Sequence, residues 1–262
     1  MVKLPKRLEH GEEVSLVEHL TELRQRLVVA FIALGVGFAV AFWRNSDILK
    51  LFNRQLPIDP HTHQHILPTT LSVSEPFTNS MIISAYAGLL LALPIVFYQL
   101  YAFVIPAFSD KTTKQVWPVL VIVPLLFIAG VVFGYEIVLP RAVHFLLGFN
   151  ADQYNVQVRA SSYYSFACMI LAAMGVIFEM PAAVAALSRA GILTARMMRK
   201  NRRYAIVVLA AIAALLPGVD PVSMLLEFLP LLVLYEASIW VARLMEVRRG
   251  RAAEKEPVAG AS

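Results

Sequence analysis

Long stretches without a single charged residue decide what this chain can become. Residues 27–43 give 17 uncharged positions between Arg26 and Arg44, residues 76–109 are uncharged throughout, and residues 115–135 form a third run. Residues 160–188 are interrupted only by Glu179, and two shorter or impure runs follow at 204–216 and 225–240. A helix needs roughly 20 apolar residues to cross a bilayer core. The runs therefore predict an all-α, polytopic membrane protein with six transmembrane helices, at about 27–43, 78–103, 115–138, 161–187, 204–216 and 225–240. Membrane strands would alternate over about ten residues, and these runs do not. Composition agrees, with 58% hydrophobic and 16% charged residues against about 25% charged in soluble domains. One cysteine excludes a disulfide framework and a cysteine-based metal site.

The segments outside the spans set the topology. Residues 1–26 are too long and polar for a cleaved signal peptide and lack its small-residue cleavage site. They are expected to form a cytoplasmic amphipathic leader at the membrane surface. Residues 241–262 are expected to be a largely disordered tail. Six spans put both termini on one side, and that side holds 18 of the 23 Lys and Arg residues. An excess of this kind marks the cytoplasm. The cluster Arg196, Arg199, Lys200, Arg202 and Arg203 reads as a topology and lipid-headgroup anchor rather than a nucleic-acid site. The loops 44–77, with Pro57, Pro60, Pro68 and Pro76, and 140–159, opened by Pro140, are expected to fold as an external cap. No internal repeat is present, unlike many solute transporters.

Ionisable groups inside the spans carry the functional information, because each costs about 2.5–3.5 kcal/mol to insert. Glu179 lies deep in the fourth span with Pro181 two residues on, and this proline frees a carbonyl and weakens the helix locally. Two readings of Glu179 stay open: a carboxyl bonded to a neighbouring helix, or a polar contact for a substrate, a partner helix or a proton. Glu136 is expected at the outer interface. Asp220, in the turn 217–221, suits helix capping. Glu227 is expected near the outer surface, and Glu236 is expected to receive loose charge support from Arg243, seven residues on. The 13 residues 204–216 cover roughly 20 Å of a core about 30 Å thick, so local bilayer thinning is expected.

Other signals are weak. His61, His63 and His65 alternate, but no carboxylate or thiol stands beside them to complete a metal site. Cys168 reads as a small apolar residue. Ser161, Ser162 and Ser165 have no histidine within their span, and no metalloprotease, nucleophile-elbow or phosphate-loop motif occurs. No enzyme, metal or cofactor is expected.

The stretch from Glu18 to Arg26 (EHLTELRQR) resembles the TatC family, the multispanning receptor of the twin-arginine protein translocase. The resemblance continues through Ser74-Glu75-Pro76-Phe77, through 98–106 (YQLYAFVIP), and through 175–181 (GVIFEMP), which looks like the family's Phe-Glu-x-Pro element. Asp220 and the Pro230…Tyr235-Glu236 spacing also match, so the likeness runs from about residue 15 to 245. It implies a curved, glove-like wall of six helices capped by the external loops, and an activity without covalent chemistry. Such a protein binds paired-arginine signal peptides of folded cargo at its cytoplasmic face. It gathers single-span partners of the TatA/TatB type, associates with copies of itself, and lets cargo cross at the cost of the proton-motive force. The implied location is the bacterial cytoplasmic membrane.

By the same resemblance, Glu22 and Phe103 match signal-binding positions, with Arg24, Asp110 and Thr112 in the same set. Glu179 matches the buried glutamate, and with Pro181 and Leu215 it would meet a partner helix. Asp220 and Glu236 are the structural polar residues. Two guanidiniums call for carboxylates at a partly desolvated site, which Glu22 suits. Yet Thr112 stands where the family usually has an acid, and a threonine cannot ion-pair a guanidinium. Asp110, Glu9, Glu12 or Glu13 can stand in for it. Leu216 replaces a frequent hydroxyl residue, and Glu227 stands where an apolar residue is usual. A secondary transporter or proton-coupled channel using Glu179, and a degenerate scaffold paralogue, are the alternatives.

Overall fold

The computed structural model describes residues 16–58, 65–104, 113–153, 156–189, 191–216 and 220–254. It is helical, with only isolated bridges between Ile58 and His65 and between Thr69 and Arg159 outside the helices. Helix α1 runs from Leu16–Trp43, α2 Asn45–Asn53, α3 Glu75–Val104 and α4 Thr113–Phe133. A π-helical segment, Gly134–Val138, leads from α4 into α5, Leu139–Gly148, which has Pro140 in its first turn. The chain continues through α6 Ala160–Phe178, α7 Met180–Arg189, α8 Ala195–Lys200, α9 Arg202–Leu215 and α10 Pro221–Glu254.

Five stretches among the described residues are long and apolar enough to cross a membrane: Leu20–Trp43, Glu75–Gln99, Val121–Gly148, Ala160–Ser188 and Pro221–Val247. The sixth expected span, α9, has 14 residues and a length of about 21 Å, short of a bilayer core. Only 17–33% of each long span is buried, so most of the helical surface is left to lipid or to other proteins.

Three expectations about boundaries change. The leader is not a separate surface helix: α1 passes without a break from Leu16 into the first span, because the Leu, Glu, Arg and Gln residues before Leu27 are good helix formers. The last helix does not stop at 240 but continues to Glu254, through a stretch rich in Ala, Arg and Glu. The helix of the third span does not end at 138, since the π-helical segment carries the chain into α5 without a turn.

Glycines let the first helices touch. A Cβ on Gly37 of α1 would lie 2.5 Å from the Gly88 carbonyl oxygen of α3, and one on Gly88 would lie 2.5 Å from the Phe38 nitrogen. Gly130 of α4 meets the Met174 carbonyl of α6 in the same manner, and the Phe127 ring covers Gly175 at 2.5 Å from its absent Cβ. Small residues of this kind allow close helix packing where lipid supplies no hydrophobic driving force.

The end opposite the termini is closed by polar contacts. Three tyrosine hydroxyls donate to the last turn of α2: Tyr135 to the Leu51 carbonyl at 2.8 Å, Tyr163 to the Phe52 carbonyl at 2.6 Å, and Tyr164 to Asn53 Oδ1 at 2.9 Å. Thr69 and residues 158–160 exchange backbone bonds of 2.7 and 2.8 Å. Glu75, 6% exposed, accepts from the Leu71 nitrogen at 2.7 Å, the Ser161 nitrogen at 3.3 Å and Arg159 Nε at 3.1 Å. The described parts of both long loops are thus tied into one cap.

Candidate functional site

At the terminal end, α1 and α3 are antiparallel and stay in step. Eleven residues separate Gly37 from Arg26, and eleven separate Gly88 from Gln99, the residue whose Oε1 accepts from Arg26 Nη1 at 3.5 Å. Eleven residues complete about three turns, so both contacts fall on the facing sides. Four residues further along each helix stand Glu22 and Phe103. The backbone therefore sets these two positions at the same level. The Phe103 side chain, and all of Asp110 and Thr112, fall outside what the structure describes.

Glu22 is already engaged. Its Oε1 accepts from Arg26 Nε at 3.0 Å and also from Arg26 Nη2. The carboxylate side chain is 36% exposed and the guanidinium 21%, so the pair sits at a rim. Arg24 is exposed on α1. Residues two apart on a helix do not share a face, so the fold does not bring Arg24 beside Glu22. Arg26 and Gln99 were not singled out from sequence as site residues. The four-residue step from Glu22 to Arg26 is the signal that could have found the first.

Glu179 lies where the fourth span breaks. It caps α6 with φ −74° and ψ −10°, its nitrogen bonds the Val176 carbonyl at 3.1 Å, and α7 begins at Met180. Pro181 explains the break, since it has no N–H to donate back into α6. Gly175 is one turn before Glu179 and packs on Phe127. This places Glu179 toward α4, where its carboxyl faces the Phe127 backbone. Its Oε1 is buried with no hydrogen-bond partner. Leu215, at the end of α9, is 86% exposed.

The remaining polar residues divide. Asp220 Oδ1 accepts from the nitrogens of Val222 at 3.1 Å and Ser223 at 2.7 Å, and so caps α10. Glu236 pairs with Arg202 Nη2 of α9 at 2.7 Å rather than with the expected Arg243. Glu227 is packed inside the protein: it is 0% exposed, and neither of its oxygens has a partner among the described residues. It lies two turns from Asp220 on α10, a helix against which α7 and α9 pack. His65 Nδ1 is 2.7 Å from the Leu56 carbonyl oxygen, while His61 and His63 lie outside the described residues.

Comparison with known proteins adds the family. The profile described as Sec-independent protein translocase protein (TatC) matches residues 18–230. The chain is 35% identical to the Sec-independent protein translocase protein TatC of Desulforapulum autotrophicum, over 89% of this chain and 86% of that protein. It is 33% identical to the TatC protein of Aquifex aeolicus, over 87% of this chain and 95% of that one. A crystal structure of the twin-arginine translocase receptor TatC superposes with a TM-score of 0.77 at 33% identity, covering 86% of this chain and 99% of that one.

Proposed function

The chain belongs to the TatC family of Sec-independent protein translocase proteins, and from that premise we propose that its terminal end grips the paired arginines of signal peptides on folded cargo. As a member it is a multi-pass membrane component of protein transport and not an enzyme. The solute-transporter alternative loses its ground with that membership.

The observation carrying the binding proposal is the shared level of Glu22 and Phe103, reached from the Gly37–Gly88 and Arg26–Gln99 contacts. A half-exposed carboxylate at a rim can accept a guanidinium strongly, because charge-assisted bonds gain from partial desolvation. A phenylalanine at that backbone position is a residue type suited to the apolar stem or the planar face of an arginine. Asp110 takes the place of the acid that Thr112 does not supply, and Arg24 lies at the edge of the same end.

Further parts of the reading rest on the same premise. Both termini are cytoplasmic, as the Lys and Arg bias supports, and the membrane is the bacterial cytoplasmic one. Glu179, with its unpartnered oxygen, offers a bond to a polar residue of an incoming single-span helix of the TatA/TatB type. Pro181 and Leu215 flank that helix, and the short α9 thins the bilayer around it. Copies of the chain associate within the complex, and the proton-motive force drives passage.

The test is photocrosslinking from position 99 to a twin-arginine signal peptide in membranes. Glu22→Ala should lower the crosslink severalfold while membrane insertion is unchanged. An undiminished crosslink, with normal export, would overturn the assignment of the site. Complementation of a strain lacking its own receptor separates an active receptor from a scaffold paralogue.

A further inference from the structure

A groove of about 500 Å³ lies on the cap end of the third span, lined by Glu136, Pro140, Arg141, His144 and Phe145. These residues belong to the π-helical segment and the first turns of α5. The buried side of the same helix is firmly seated, with Val138, Leu139 and Ala142 all at most 1% exposed. Glu136, Arg141 and His144 turn outward. π-Helical segments widen the turn and recur at functional sites.

The depth of the groove follows from helix rise. Glu136 is 23 residues beyond the start of α4 at Thr113, or about 35 Å along the axis, against a hydrocarbon core about 30 Å thick. The neighbouring Tyr135 hydroxyl bonds α2 in the cap, which fixes the same level independently. The groove therefore opens where the bilayer surface meets the wall.

Its charges are not used among the described residues. Among the described residues Glu136, Arg141 and His144 form no ion pair, and Arg141 donates only to the Ile137 carbonyl, at 2.9 Å. A basic groove alone would select an anionic lipid. Here an acceptor-only carboxylate stands beside a guanidinium and an imidazole, a set whose charges nearly cancel.

We propose that this groove binds the headgroup of a phosphatidylethanolamine molecule in the leaflet at the cap end, with the phosphate on Arg141 and His144 and the primary ammonium on Glu136. Phe145 and Pro140 supply apolar surface for the glycerol and the start of the acyl chains. An ammonium that donates hydrogen bonds fits the carboxylate. A choline headgroup has no N–H to donate, and a glycerol headgroup brings no positive charge. Neither signal binding nor Glu179 enters this inference.

The full chain, delipidated in detergent, is offered ethanolamine, choline and glycerol phospholipids of identical acyl chains, and retained lipid is counted by native mass spectrometry. The ethanolamine lipid should be retained at least threefold over the others. Glu136→Gln should abolish that preference while leaving some phosphate-dependent retention, and Arg141→Gln should lower retention of all three lipids. Both variants lie on the exposed side, and thermal unfolding checks that they fold. Equal retention of the three lipids, or a preference that survives both substitutions, would overturn the proposal. So would displacement of the retained lipid by soluble glycerophosphoethanolamine, which would make the ligand a water-soluble phosphoester instead.

Discussion

Gly37 and Gly88 meet backbone to backbone, each standing where the other leaves no room for a methyl group. Gly35, two residues away on the same helix, has nothing within 4 Å of its Cβ position. Alanine should therefore act with opposite sign at the two glycines. Gly35→Ala removes chain entropy and should stabilise by up to about 1 kcal/mol, while Gly37→Ala should cost about 1–3 kcal/mol through overpacking. Thermal unfolding in one detergent compares them, and equal effects would refute the close approach.

Arg26 and an incoming arginine compete for Glu22. Removing the resident guanidinium, as in Arg26→Gln, should free Oε1 and strengthen signal-peptide binding. An exposed pair is worth about 0.2–1 kcal/mol, so the gain should stay within about fivefold and shrink as salt rises. Binding that falls instead, as with Glu22→Ala, would make Arg26 a positioning residue.

Glu75 joins the two cap loops from a buried position, whereas its partner Arg159 is 52% exposed. Glu75→Ala removes the acceptor shared by the Leu71 and Ser161 nitrogens and should cost about 1 kcal/mol or more, since three bonds are lost at once. Arg159→Ala should cost less than about 1 kcal/mol, because water screens the exposed guanidinium. Limited proteolysis between residues 65 and 75, with thermal unfolding, ranks the two. The reverse order would show that the ion pair, not the backbone capping, holds the cap.

Glu227 is a buried polar group without a partner. An apolar side chain of similar size removes that penalty, so Glu227→Leu should raise stability by about 1–3 kcal/mol. Asp220→Ala should act the other way, by about 0.5–2 kcal/mol, through loss of the α10 cap. A destabilising Glu227→Leu would show that the carboxyl has a partner the folded wall supplies.

Four of the spans were legible because absence of charge over 17 or more residues has one physical solution, and the Asp220 cap because turn chemistry is local. The burial of Glu227 was not. A helix that is apolar nearly all round carries no period to tell which side faces protein, so its inward face is settled only by the helices that pack on it. The Arg202–Glu236 pair was hidden for a related reason: the two are 34 residues apart and meet only once α9 folds back on α10, whereas Arg243 was merely nearer in sequence. The seamless α1 was misjudged because the leader's charges mark where lipid ends, not where a helix does. For the candidate site, Glu22 and Phe103 were named by resemblance, but their common level needed a tertiary contact that no local pattern encodes.

The matched stepping of α1 and α3 makes the pair a phase gauge. Each residue turns a helix by about 100°, so one residue inserted in α1 between Arg26 and Gly37 would leave the glycines seated and swing Glu22 more than a quarter-turn off its bearing. The rim would keep its composition and lose its aim.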